Sequence, residues 1–485
     1  MAEETLKAKT SKGLFWGGTG SLIQQLLNAF FGIFLARTLA PSDYGIVGMI
    51  AVFSLISLAL QEGGFGAALI NKKEVRSEDY NAVFWFNLLI AFACYLILFF
   101  SAPLIARYFH QPVLVEVSRW QFLCIVLSGF GTAQKAYLTK HLKVKEQSII
   151  TILSVAISGV VGVILAFKGF GYWALVIQAL IMNVIFNFGP WFVSEWKPTL
   201  HIDFKPIKGM IKFSIKLLIN SFLSILSGSL ITIVLGRFYS AAKVGFYTQA
   251  NKWSGMGTSV LSSMIGSVSH PVLVQVSDDK ERQLRVFRKL IRFAAFVSFP
   301  AMFGLAFIAP EFIVIAIKDK WMESIPLLQI LCVAGAFAPI SGILSTLIVT
   351  YGKSDTILWT NIALSLSTIL VLYLAFPYGI TYMVIGIAAL NILWVFVWWF
   401  LSHTKSGYSI LGLFSDLVPF MGIAAFSIAL AWILTKWIAN IYLLLIAKIL
   451  VTGVIYLILM KVSRAVAYKE SKEYIRKYWL YRGQQ

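Results

Sequence analysis

Charge is what this sequence has least of. Only 13% of its 485 residues are charged, about half the roughly 25% usual in soluble domains, and no water-soluble fold of this length covers its core with so few. Proline is scarce as well. Thirteen prolines beside 38 Phe, 19 Tyr and 15 Trp do not describe a disordered chain. The three cysteines, Cys94, Cys124 and Cys332, all lie in apolar runs. An odd count without CxxC spacing argues against a disulfide framework or a metal site and leaves them as small hydrophobes in helix packing. Enzyme signatures are missing too: there is no Walker lysine motif and no HExxH, and Gly129-Phe130-Gly131 and Gly169-Phe170-Gly171 follow no strand. The five histidines show no metal-ligand spacing. No cofactor is expected, and any driving force must come from a proton or sodium gradient or from the membrane potential.

What is present is hydrocarbon. With 59% hydrophobic residues and a mean hydropathy of +0.81, the chain reads as an all-α polytopic membrane protein. Stretches of about 20 apolar residues span a bilayer as helices. Fourteen are expected, near 13–36, 44–70, 81–105, 113–138, 147–167, 170–193, 211–236, 244–276, 290–317, 324–350, 355–376, 379–402, 412–435 and 438–461. The eighth is rich in Ser and Gly, and charge interrupts the fourth. The polar start, MAEETLKAKTSKG, leads into a long span instead of a cleavable signal. Placing both termini in the cytoplasm puts 30 of the 41 Lys and Arg on that side and eight outside, the asymmetry that sets topology. The same placement explains the net charge of +20 without nucleic acid, through anionic membrane lipids. The tail from 463 to 485 reads as a cytoplasmic amphipathic helix, with Lys469–Glu473 and Glu473–Lys477 at i,i+4.

The chain also repeats itself. A shift of 200 superposes Lys12/Lys212, Ser21/Ser221, Leu26/Leu226, Ile33/Ile233, Leu35/Leu235, Arg37/Arg237 and Gly45/Gly245, seven identities over 34 positions. A shift of 207 matches Ala102-Pro103 to Ala309-Pro310, and 208 matches Gln121, Leu123 and Cys124 to Gln329, Leu331 and Cys332. Six spans separate the copies, so the repeat is parallel, and transporters of this kind bind substrate where the repeats meet. The expected organisation is an N-terminal lobe (1–194, spans one to six), a cytoplasmic linker (195–210), a C-terminal lobe (211–404, spans seven to twelve) and an appended helix pair (405–462).

Equivalent stripes recur every four residues on the two first helices: Gly20, Gln24, Asn28, Gly32 and Ala36, and Asn220, Ser224, Gly228, Thr232 and Gly236. Small-xxx-small packing explains them, and so does a wall lining a polar cavity. Lys252 is the leading candidate for an intramembrane site, because an ammonium at membrane depth costs roughly 2.5–3.5 kcal/mol and normally faces a cavity or partner; snorkelling is its alternative. Asn251 and Ser259 accompany it as cavity candidates. Glu62, near the end of span two, either faces the cavity or pairs with Lys72 or Lys73. Glu116 and Arg119, at i,i+3, are expected to neutralise one another. Lys448, alone in an apolar span, is read as snorkelling.

The runs APSDYGIVGMIAVFSLISLALQEGGFGAALINKKEVRSEDYNAVFW, GFGYWALVIQAL and LGRFYSAAKVGFYTQANKW, then HPVLVQVSDD, resemble the polysaccharide transporter family. Its members, the O-antigen, colanic-acid and teichuronic-acid flippases, belong to the multidrug/oligosaccharidyl-lipid/polysaccharide exporter superfamily. The resemblance implies two six-helix lobes around a central cavity that opens alternately to each side of a bacterial inner membrane. It implies a polyprenyl-diphosphate-linked oligosaccharide as cargo, moved to the outer leaflet for surface polysaccharide synthesis, with polymerase and chain-length proteins as partners. Lys252 would then anchor the diphosphate. The peptidoglycan-precursor flippases are similar in the pattern Glu62-Gly63-Gly64-Phe65 and in a basic residue at Lys252, but their Arg-Asp pair on span one is replaced here by Phe31-Gly32. A cation-coupled drug exporter of the same superfamily is the alternative, with Glu62 as its one deep carboxylate. A membrane glycosyltransferase or polymerase would need a larger outer loop than the 5–12 residues expected, and a scaffold leaves Lys252 unexplained.

Overall fold

In hydrocarbon a backbone satisfies its polar groups only within a helix or a closed barrel, and this chain takes the first solution. The computed structural model describes residues 6–62, 64–276, 279–351 and 354–463; the expected amphipathic tail lies outside them, as do some side chains within helices, Glu62 and Asn220 among them. In order the α-helices are α1 (Leu6–Thr38), α2 (Pro41–Glu62), α3 (Phe65–Asn71), α4 (Ser77–Phe109), α5 (Leu114–Gln121), α6 (Leu123–Gly129), α7 (Thr132–Lys140), α8 (Val144–Phe167), α9 (Tyr172–Val193), α10 (Lys205–Phe238), α11 (Ala241–Gln275), α12 (Lys280–Ile317), α13 (Ser324–Gly335), α14 (Ala338–Thr350), α15 (Ser354–Ala375), α16 (Ile380–Ser406), α17 (Ile410–Thr435) and α18 (Ile441–Val462). No strand occurs among the described residues.

Among these residues twelve helical stretches are long and apolar enough to cross a membrane, α13 and α14 together forming one of them. A thirteenth, expected at 113–138, is broken: Leu114–Gly129 and Thr132–Lys140 meet at 42°. Helix α11 is too polar to qualify by hydropathy. Its 35 residues nevertheless extend about 52 Å at 1.5 Å per residue, more than a bilayer core of about 30 Å. The all-α polytopic class is therefore the one observed, with the weak eighth span present as a long helix.

The repeat is visible in the chain's punctuation. Helices α1 and α10 end at Thr38 and Phe238, and α2 and α11 start at Pro41 and Ala241, both pairs 200 apart. Helices α4 and α12 each enclose an Ala-Pro step, at Pro103 and Pro310, and each ends on a non-glycine residue of positive φ, His110 (54°) and Lys318 (75°). The fourth and tenth spans both break, at Phe130-Gly131 and at Ala336-Phe337.

Packing divides the chain into two units, Met1–Thr248 and Gln249–Gln485. In the first, α8 packs on α1 and α9. Helix association in lipid relies on close van der Waals fit through small residues, and a Cβ on Gly20 or Gly159 would stand 2.7 Å from Ser148 or 2.3 Å from the Phe31 ring. Helix α10 starts at Lys205 and packs on α2 and α4 of this unit. The starts of α2 and α11 cross reciprocally. A Cβ on Gly45 would lie 1.7 Å from the Ala241 carbonyl oxygen, and one on Gly245 would lie 1.9 Å from that of Pro41.

The segment between α9 and α10 is fastened to the first unit. Trp196 is buried in an aromatic cluster with Phe65, Tyr80 and Phe84, and its indole N–H donates to Ser77 Oγ at 3.1 Å. Asn81 accepts from the Thr199 N–H at 2.9 Å and donates to the His201 carbonyl, while Trp85 donates to the Thr199 carbonyl at 2.7 Å. Glu195 meets Lys143 at 2.7 Å. That hydrogen bond raises Lys143 and holds the Glu195 carboxyl below the usual range. Lys72 donates to both Asp79 oxygens, at 2.8 and 2.7 Å, so one of the two cations considered for Glu62 is engaged elsewhere.

In the second unit α17 and α18 lie on α12, tied by two sets of charges. Asp416, buried, accepts from Arg288 Nε at 2.8 Å and from the Tyr408 hydroxyl at 3.0 Å. Burial, with that carboxylate beside it, pushes the Tyr408 phenol up. Lys448 does not snorkel. Its ammonium is 2.7 Å from Glu311 on α12 and 4.4 Å from the Phe307 ring centroid, and both charged residues are more than nine-tenths buried. Packing on α12 supplies the partner that α18 lacks, and withdrawal to an interface is unnecessary.

Candidate functional site

Helix α11 carries the leading candidate. Lys252 is half-buried, with its ammonium 6.0 Å from the centroid of the Trp253 ring. Trp253 is buried edge-on against Phe312 at 5.0 Å. Among the described residues no carboxylate pairs with Lys252, an arrangement that leaves its charge available to a ligand. One face of α11 is packed: Leu261 and Ile265 are buried, and a Cβ on Gly257 would sit 3.1 Å from the Met302 sulfur. On another, Asn251 is exposed, and Gly255 and Gly266 open onto free space. Ser259 is half-buried, and its hydroxyl donates to the Met256 carbonyl at 3.0 Å.

In the first unit Gln24 and Asn28 are half-buried on α1, and Ser224 is exposed on α10 beside Gly228, which opens onto free space. The stripes are used in two ways. Gly20 and Gly236 are packing positions, the second with Phe109 where a Cβ would be, 2.7 Å from the ring. Glu62 closes α2 and Asn220 lies within α10, but their side chains are outside the described residues. Among those residues no hydrogen bond joins the candidates to one another, and no three His, Cys, Asp or Glu side chains gather as a metal site.

Two buried polar groups were not anticipated, and a third, Arg119, has a different partner from the one expected. Gln249, one turn before Lys252, is fully buried with both amide atoms unpartnered, an unusual state for a buried amide. Its i−3 spacing from Lys252 was the available signal. For Glu311 the available signal was a lone carboxylate in a long apolar run, with nothing in the sequence to name its partner. Arg119 does not pair with Glu116. The guanidinium lies over the Phe99 ring of α4 at 4.4 Å, its Nε buried without a hydrogen bond, while Glu116 is exposed. Packing of α5 on α4 offers Arg119 a π face that the i,i+3 spacing does not reveal.

Residues 34–326, more than half of the chain, match the model of the family described as "Polysaccharide biosynthesis protein". The chain belongs to the polysaccharide biosynthesis protein family. This member is 24% identical over 375 residues to an uncharacterised membrane protein in the cps region of Klebsiella pneumoniae, covering 76% of this chain and 77% of that one. It is 23% identical over 433 residues to the succinoglycan biosynthesis transport protein ExoT of Rhizobium meliloti (strain 1021), covering 88% and 87%. Among solved structures it is similar to the lipid II flippase MurJ in an inward closed conformation, with a TM-score of 0.75, 17% identity, and coverage of 92% of this chain and 98% of that one. At that identity the likeness concerns the fold. The resemblance to the polysaccharide transporters is thus borne out by the family match, and the multi-pass membrane character by the helices.

Proposed function

We propose that this polysaccharide biosynthesis family member is a flippase that carries a polyprenyl-diphosphate-linked oligosaccharide from the cytoplasmic to the outer leaflet of a bacterial inner membrane by alternating access. The observation that carries the reading is Lys252, a cation in a helix long enough to cross a membrane with no carboxylate partner among the described residues. A diphosphate is the complementary ligand: it bears about two negative charges, and attraction between opposite charges grows severalfold as the effective dielectric falls from that of water. Amide and hydroxyl groups such as Gln24, Asn28, Asn251 and Ser259 can meet sugar hydroxyls without demanding one sugar. The name of the relative ExoT, a transport protein of succinoglycan biosynthesis, supports transport over synthesis. A proton or sodium gradient or the membrane potential would drive the cycle, and polymerase and chain-length proteins would receive the product.

The test is lipid analysis of a strain lacking this gene, with the upstream glycosyltransferases intact. A defined diphosphate-linked oligosaccharide accumulating in the cytoplasmic leaflet supports the reading; an unchanged lipid pool, with no second flippase, refutes it in favour of a drug or ion exporter. Lys252→Gln should abolish complementation, and Lys252→Arg should retain part of it. Full activity of the Gln variant at normal expression would remove Lys252 from the mechanism.

A further inference from the structure

The end of the first unit that holds the linker is rich in cations. Lys72, Lys140, Lys143 and Lys197 meet there through their contacts with Asp79, with the α3 carbonyls, with Glu195 and with the Trp191 carbonyl. At the start of α10, Lys205 and Lys208 are exposed; the Asp203 carboxylate accepts from the Lys205 backbone N–H at 2.9 Å, and among the described residues neither ammonium forms an ion pair. The apolar stretch of α10 begins only at Ser221. The residues before it open the same continuous helix and include Lys205 and Lys208, three positions and so about one turn apart.

Beside Lys208 a groove of about 490 Å3 runs between α4 and α10. Phe86, Ile90 and Ala93 of α4 and Ile207 and Ile211 of α10 make its apolar walls, and Lys208 is the charged residue in its lining. From Phe86 to Ala93 the α4 wall extends about 10 Å along the helix, away from the linker end. We propose that this groove holds one acyl chain of an anionic phospholipid, whose phosphate is bound by Lys208 and Lys205. Two observations select this occupant: the floor is hydrocarbon and runs along α4, a helix long and apolar enough to cross a membrane, and the mouth carries two lysine ammoniums outside any ion pair among the described residues, just before the apolar stretch of α10. A zwitterionic lipid would fill the floor equally well but would leave the lysines without a net negative partner. The site is distant in sequence from Lys252 and does not depend on what the protein transports.

The experiment uses the full-length protein, delipidated in detergent and titrated with phosphatidylglycerol or phosphatidylcholine, with bound lipid counted by native mass spectrometry. One phosphatidylglycerol should bind about tenfold more tightly than phosphatidylcholine, as two interfacial lysines can provide. The Lys205→Gln/Lys208→Gln double variant should lose that preference while keeping weak binding of both lipids, and the corresponding Arg variant should keep it. Ala93→Phe, at an exposed position in the groove, should weaken both. A preference unchanged in the double Gln variant, or no effect of Ala93→Phe in a correctly folded protein, overturns the proposal. So does displacement of phosphatidylglycerol by an equal concentration of polyprenyl phosphate, which would give the groove to a different lipid.

Discussion

Replacing Lys448 by methionine tests how a charged pair is tolerated inside this helical bundle. The ammonium and the Glu311 carboxylate are 2.7 Å apart. At an effective dielectric of about 20, charges at that distance attract by roughly 6 kcal/mol. Withdrawing each from water costs several kcal/mol, so the pair as a whole adds little to stability. Losing one member is different, because the other stays buried without compensation, at a cost of about 3–5 kcal/mol. Lys448→Met and Glu311→Gln should therefore each destabilise the protein by about that amount, while Glu311→Leu/Lys448→Leu should stay within about 1 kcal/mol of the wild type. The assay is reversible unfolding in mixed micelles, read as a double-mutant cycle. Single variants within about 1 kcal/mol of the wild type, or a double variant as unstable as the sum of the two, would refute the reasoning.

Gly45→Ala and Gly245→Ala each drive a methyl into a backbone carbonyl and should sharply reduce the yield of monodisperse protein in size-exclusion chromatography. Gly228→Ala, facing open space, should be neutral or gain up to about 1 kcal/mol of helix propensity. Tyr408→Phe should cost about 1 kcal/mol and Asp416→Ala about 2 kcal/mol, the latter reduced by the partial exposure of Arg288; equal stabilities in denaturant titration would contradict the hydrogen-bond assignment. The Lys143–Glu195 tie has a pH window set by its two shifts. The lowered Glu195 contributes above the ordinary carboxylate pKa and loses its effect as pH falls through the lowered value. The raised Lys143 contributes below the ordinary lysine pKa and fails only as pH rises through the higher one. Hydrogen-exchange protection factors in residues 194–204, corrected for the intrinsic pH dependence of amide exchange, should thus stay flat across neutral pH and fall in acid, and Glu195→Gln should remove the acid step.

The parts of the fold that depend on local chain chemistry were legible in the sequence. Helix ends 200 residues apart and the Ala-Pro steps follow from residues that act on their own backbone; of the two broken spans only the fourth carried a signal, its interrupting charge. Partners set by packing were not. Lys448 and Glu311 are 137 residues apart, with no periodicity to connect them, and Arg119 finds Phe99 instead of the carboxylate one turn away. The candidate site was legible in part for the same reason: Lys252 is a lone cation in a Ser- and Gly-rich stretch, whereas Gln249 beside it resembles an ordinary polar interruption until its burial is seen.

The Glu311–Lys448 pair also sets a schedule for biogenesis. A ribosome adding about 5–20 residues per second takes on the order of ten seconds to travel from Glu311 to Lys448. Throughout that interval α12 is already made and its carboxyl group has no permanent partner. Helix α18, the last described helix, is then the element that completes the membrane interior of the second unit, and a chain stalled before Lys448 retains an uncompensated acid in α12. Such a nascent chain, lacking both the Lys448 ammonium and the packing of α18 on α12, should be a preferred substrate for membrane quality-control proteases.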